Sequence, residues 1–150
     1  MQEGMRGRLI AAAALVPLVV GLAACGGSSE GDKDSEGTVP QTCPTDINQT
    51  ASTPLPSDVP APSASATPYA YFAQGATKVW FFVLDGDPDQ LVSLRDAYDS
   101  TLRARGYEIK GTDQEPGHEA ESDFKGAHEG TTNFRALCTG KVNFRLKLTS

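Results

Sequence analysis

The clearest alternation in the chain runs through "KVNFRLKLT", where Val142, Phe144, Leu146 and Leu148 point one way and Lys141, Asn143, Arg145 and Lys147 the other. A period of two with one apolar and one polar face predicts an antiparallel strand with one wet side. Weaker versions lie upstream: "YEIKG" groups Tyr107 with Ile109, "AESDFK" groups Ala120, Ser122 and Phe124, and "TNFRA" groups Phe134 with Ala136. The turn before the last strand sets its register. A three-residue loop Cys138-Thr139-Gly140, with Gly140 left-handed, pairs Ala136 with Val142 and Phe134 with Phe144, core against core. A two-residue turn would put Arg135 against Phe144.

"YAYFA" and "TKVWFFVL" read as two further strands around Gln74-Gly75. The second strand poses a problem, because Val79 to Leu84 are all apolar and face both sides of any sheet. The bulkier set, Trp80, Phe82 and Leu84, is expected on the core side. That leaves Val79, Phe81 and Val83 outward. Three coverings suit this outward row: the preceding segment around Leu55 and Val59 folded back over it, a bound partner, or an acyl ligand.

Between the strand groups, "DGDPDQLVSLRDAYDSTLRARGYEI" carries helix punctuation at both ends. Asp87 fits the N-cap, Pro88 the first helical position and Gln90 the third, a capping box with Asp89 favoured by the helix dipole. Gly106 fits the left-handed position after the last turn, with Tyr107 placed to touch Leu102 as in a Schellman motif. Leu91, Leu94, Tyr98, Thr101 and Leu102 share one stripe, the spacing of a helix lying on a sheet. The expected fold class is therefore α+β. One mostly antiparallel sheet carries one helix on one face, in the order β-β-α-β-β-β-β, over residues 69–150.

The opening 24 residues do not belong to that fold. Arg6 and Arg8 precede an apolar run from Leu9 to Leu22, the layout of a secretory signal, whether translation starts at Met1 or Met5. The run ends in "LAAC", Leu22-Ala23-Ala24-Cys25, and here the leader resembles that of bacterial lipoproteins. The resemblance implies cleavage before Cys25, diacylglyceryl attachment to its sulfur, and stable anchoring in the membrane through more than one acyl chain. It also implies an extracytoplasmic location at the cell membrane. Residues 25–68 read as a tether, first small and charged ("GGSSEGDKDSEGTVPQ"), then Pro-, Ser- and Thr-rich. By the same resemblance Thr50, Ser52 and Thr53 are candidates for O-mannosylation. The arrangement of strand, "DGDP", helix and "GY" over Val79 to Ile109 resembles small envelope lipoproteins of high-GC Gram-positive bacteria, mycobacteria among them. That likeness transfers no active site.

With Cys25 taken by lipid, Cys43 and Cys138 remain as an even pair outside the cytoplasm and are expected to form a disulfide. Removal of Arg6, Arg8 and Glu3 with the leader leaves 11 basic against 18 acidic side chains, a formal charge of −7. Such a balance excludes nucleic acid as the natural partner and disfavours polybasic docking on anionic lipid.

Candidate chemistry is sparse. Asp85, Asp87 and Asp89 alternate like the first ligands of an EF-hand loop, and Asp96 falls at its twelfth position. Gln90 occupies the place that needs glycine, and Pro88 opens a helix, so the helix cap explains the same residues. His118 and His128 lie in acidic, loop-like stretches with Glu119, Glu121 and Asp123 nearby, where spacing alone makes no metal site. No Gly-x-Ser-x-Gly elbow, P-loop or His-Glu-x-x-His run occurs, so neither an enzyme nor a cofactor is expected.

The last strands hold the most informative surface. Asn133, Arg135, Asn143, Arg145 and Lys147 share the outward side, and Thr131 to Ser150 contains no acid. With Val79, Phe81 and Val83 these residues form a candidate binding face for an envelope protein or an anionic envelope ligand. The expected function is a non-enzymatic binding or interaction module. A carrier holding an apolar ligand between sheet and helix is the alternative, and a hydrolase is a third reading.

Overall fold

Six strands and one helix form in the expected order: β1 (Pro68–Gln74), β2 (Thr77–Asp85), α1 (Leu91–Ala104), β3 (Glu108–Glu115), β4 (Glu119–Lys125), β5 (Glu129–Cys138) and β6 (Lys141–Thr149). They belong to a computed structural model that describes residues 39–48 and 50–149. The leader, Cys25 and the first part of the tether lie outside the described residues. Short 3-10 turns at Thr45–Asn48 and Pro88–Gln90 precede β1 and α1.

All six strands make one sheet in the order β1-β2-β6-β5-β4-β3, and every neighbouring pair is antiparallel. Hairpins join β3 through β6 into a meander. The helix carries the chain from β2 to the far edge, and β6 then returns to pair with β2. The inward row of β6 is the centre of the core: Val142, Phe144 and Leu146 are fully buried and Leu148 nearly so. Ala136 lies opposite Val142 and Phe134 opposite Phe144, with Gly140 left-handed at φ 70°, the register that core-to-core pairing requires. The expected three-residue loop does not form: Cys138 belongs to β5 and pairs with Lys141, the turn is Thr139-Gly140, and the register is kept because the odd residue, Leu137, is absorbed by an irregularity between Ala136 and Cys138.

The helix begins and ends on local hydrogen bonds. The Asp87 N–H donates to Gln90 Oε1 at 2.9 Å. At the other end the Tyr107 N–H reaches the Leu102 carbonyl at 3.1 Å and the Gly106 N–H the Arg103 carbonyl at 3.0 Å, with Gly106 at φ 86°. This is the Schellman pattern, and it buries Tyr107 beside Leu102. The inward face of α1 differs in one respect from the expected stripe. Thr101 is exposed, its hydroxyl bonded to the Ala97 carbonyl, while Arg95 and Asp99 are buried. Because α1 lies over β3, β4 and β5, these two polar side chains meet strand groups. Ser122 Oγ donates to Asp99 Oδ2 at 2.7 Å, and Arg95 Nη1 donates to the Asp113 carbonyl at 3.2 Å.

A helix placed there leaves the inward residues of β2 uncovered. The gap is filled by residues 51–66, which the sequence places in the tether, with the stretch around Leu55 and Val59 as one covering for the outward row. The structure corrects this. Val59 is buried in the core cluster, with Leu55 and Ala66 packed against it. Trp80 Nε1 donates to the Thr53 carbonyl at 3.1 Å and Tyr98 to the Pro60 carbonyl at 2.8 Å. The segment therefore covers the helix side of the sheet, beside α1. The physical reason is area: Trp80 and Phe82 present more apolar surface than Val79 and Phe81, so hiding them gains more.

The Cys43–Cys138 disulfide closes the arrangement, with the Cα atoms 5.1 Å apart and 95 residues between them in sequence. Beside it the Thr139 N–H donates to the Pro40 carbonyl at 3.0 Å. The incoming chain is thus fixed to the tip of the β5–β6 hairpin.

Candidate binding face

Antiparallel pairing turns the outward residues into cross-strand rows. Phe81 lies opposite Arg145, which lies opposite Asn133, which lies opposite Glu121. A second row joins Phe72, Val79, Lys147, Thr131 and Asp123. A third joins Val83, Asn143, Arg135 and Glu119. Each row runs from apolar on β1 or β2, through a cation, amide or hydroxyl on β6 and β5, to a carboxylate on β4. All seven residues of the candidate face, Val79, Phe81, Val83, Arg135, Asn143, Arg145 and Lys147, thus lie on adjoining strands of one side.

Two features of this face escape sequence reasoning. The first is the acidic border. Glu121 Oε1 accepts from Asn133 Nδ2 and sits 3.4 Å from Arg145 Nη2, and Asn133 Nδ2 also approaches Glu119 Oε2 at 3.2 Å. The basic stripe is therefore one band of a graded surface, and only the pairing of β4 with β5 creates the border. Arg135 and Lys147 form no ion pair among the described residues. The second is the aromatic wall from β1. Phe72, the one large hydrophobic residue exposed among the described residues, retains 63 % of its surface and meets Phe81 edge-on at 5.9 Å. Tyr69 leans on Phe81 from the other side and donates to Asn143 Oδ1 at 3.0 Å. Burial, then the Asp46 carboxylate, raise the Tyr69 hydroxyl above its ordinary value. In "YAYFA" alternation separates Phe72 from Tyr71, which packs on Trp80, but it does not foretell Tyr69, which joins Phe72 on the outward side through the irregularity between Pro68 and Ala70.

Two concavities open on this side. One, of about 310 Å³, is lined by Phe72, Val79, Phe81, Arg145 and Lys147. The other, of about 560 Å³, lies across Lys147 toward Thr131 and Asp123. Outward-facing residues of β2 are thus half-covered by their own neighbours and otherwise open.

Other clusters have structural work. Tyr107 donates to Asp58 Oδ2 at 2.9 Å, and His128 Nε2 lies 3.2 Å from the same oxygen. The Tyr107 bond is the main cause holding the Asp58 carboxyl below its ordinary value, while burial and then Asp58 push the Tyr107 hydroxyl up to about 12. These three tie the segment around Val59 to the far end of the helix. Asp85 pairs with Lys141 across the β2–β6 ladder. Among the described residues, no three His, Cys, Asp or Glu side chains gather as a metal site.

Set against family models, curated proteins and solved structures, the chain matches none.

Proposed function

We propose that the chain is a lipoprotein anchored through Cys25 on the outer side of the cytoplasmic membrane, where its domain serves as a non-enzymatic binding module. The leader and its "LAAC" end support the anchor. The Cys43–Cys138 bridge suits an oxidising compartment. The observation that carries the binding reading is the apolar row of β2, with Phe72 exposed beside it, set against two cations, Arg135 and Lys147, that have no ion pair among the described residues. An open apolar strip edged by one sign of charge is the form of a recognition surface.

Carriage between sheet and helix draws less support. That space is filled by Leu91, Leu102, Phe124, Phe134 and Phe144, each at most 1 % exposed, and Trp80 and Phe82 beside it, under residues 51–66, are buried as fully. Rings of Phe134 and Phe144 lie 4.7 Å apart and those of Tyr98 and Phe144 4.9 Å apart, the spacing of a packed core.

Two measurements test the proposal. Intact mass of the native product should carry acyl mass that Cys25→Ala abolishes. Crosslinking in membranes should yield partners that the double variant Phe81→Asp, Arg145→Glu loses; an unchanged partner set sinks the assigned face.

A further inference from the structure

The concavity of about 310 Å³ combines two chemistries in one place. Phe72, Val79 and Phe81 form an apolar floor and wall; Arg145 and Lys147 supply positive charge at its edge. Neither cation is well satisfied. Lys147 has no ion-pair partner among the described residues. Arg145 reaches Glu121 through a single contact of 3.4 Å, longer than a charge-assisted hydrogen bond, and its Nε is buried without an acceptor among the described residues. Of the acids on this side, Glu121 touches Arg145 at 3.4 Å, and Asp123 and Glu129 line the neighbouring concavity across Lys147; none lines this one, whose charged lining is wholly positive on a chain of negative net charge.

This arrangement discriminates among ligands. A neutral apolar molecule would cover Phe72 but bury the two cations without an anion, which is costly. A bare anion would satisfy the cations and leave the aromatic wall wet. Only a molecule joining an anionic group directly to hydrocarbon answers both requirements, and the volume lies at the lower end of ligand pockets, about 300 to 1,000 Å³. We infer that this cleft binds single molecules of an amphipathic anion, the phosphate or carboxylate seated between Arg145 and Lys147 and the chain lying along Phe81, Val79 and Phe72. The inference rests on the reading of this side as a binding face and names the class of its ligand.

The described elements and the disulfide all fall within one compact unit, Ser35–Ser150, so the oxidised chain from residue 25 with Cys25→Ser can be tested without its own acyl group competing. Dihexanoylphosphatidic acid is titrated below its micelle concentration, beside dihexanoylphosphatidylcholine, inorganic phosphate, and vesicles containing phosphatidylglycerol. Amide resonances and calorimetry supply the readout. The phosphatidic acid should shift the amides of residues 72, 79, 81, 145 and 147 and bind about tenfold tighter than the choline lipid, the margin of one charge-assisted hydrogen bond. Inorganic phosphate should leave those amides in place. Lys147→Gln should abolish the preference for the anionic lipid and Phe72→Ser should weaken both lipids; these side chains are exposed, so folding is preserved. Arg105→Gln, beyond the end of α1 on the other face, should change neither. Equal affinity for the two lipids, an equal response to phosphate alone, or binding to anionic vesicles without binding to monomers would overturn the inference. If it fails while partner capture still depends on Phe81 and Arg145, the ligand class falls and the binding face stands.

Discussion

Trp80, the one tryptophan of the chain, donates its indole N–H to the carbonyl of Thr53 at 3.1 Å, joining the core of β2 to a segment rich in proline and serine. The bond shows which side of the sheet that segment covers. It also makes Trp80 a reporter of whether the segment is docked.

Val59 is the residue of that segment that enters the core cluster, 4 % exposed. Val59→Ala removes two methyl groups and leaves a cavity, an expected cost of about 2 kcal/mol. Urea unfolding followed by Trp80 fluorescence should show an earlier midpoint, with red-shifted emission in the folded baseline if the segment detaches. An unchanged midpoint would mean the segment adds nothing to stability.

The disulfide should contribute more than any single side chain. Closing a loop with 95 residues of separation restrains the unfolded chain by on the order of 4 to 5 kcal/mol in the chain-entropy account. Thermal melts with and without reductant should differ accordingly. A reduced protein that melts with the oxidised one would remove the bridge from the stability argument.

Asp99 gives stability an opposite pH dependence to Asp58. Burial raises the Asp99 carboxyl above its ordinary 3.8, while the Ser122 hydroxyl, Arg103 and Arg95 oppose the rise and Asp96 adds to it. Its Oδ1 has no partner among the described residues. Between 3.8 and the raised folded value the unfolded chain has lost this proton and the folded one holds it, so stability falls as pH rises through that window. Asp99→Asn should therefore stabilise the protein at neutral pH, and the gain should vanish below 3.8. Asp58, held below its ordinary value first by Tyr107, contributes stability above 3.8 that is lost as pH falls through its folded value. Denaturation of wild type, Asp99→Asn and Asp58→Asn across acid pH separates the two; a gain in Asp99→Asn that persists in acid would contradict the assignment.

Gly130 lies opposite Phe124 on β4 and Leu148 on β6, where a Cβ would collide with the Lys147 carbonyl and the Phe124 ring. Gly130→Ala should cost about 2 to 3 kcal/mol, because backbone must move, and should displace Lys147 from the cleft edge. Gly75→Ala meets open space at φ 58° and should cost about 1 kcal/mol. Comparable melting temperatures would argue against the tight approach of β5 to β6.

Legibility followed the range of the signal. The inward row of β6 and the side chosen by Trp80, Phe82 and Leu84 make distant contacts, yet they were readable because a period of two records locally which side must be dry, and both helix ends rest on contacts within a few residues. Thr101 was misplaced by the same reasoning, since spacing admits it to the stripe and only the position of α1 over β3, β4 and β5 turns it outward. The acidic border went unseen because nothing local says that Glu121 will stand opposite Asn133.

By itself the amino-acid order determined the class of fold, the punctuation of its elements, the pairing of β5 with β6 and the chemistry of the outward residues. Tertiary structure alone decided that β2 joins β6, that residues 51–66 share the helix side, and that cations lie between an aromatic wall and a carboxylate row. Local torsional and hydrogen-bonding preferences act over a turn of chain, whereas strand neighbours and the use of leftover apolar area are settled only when the whole core closes.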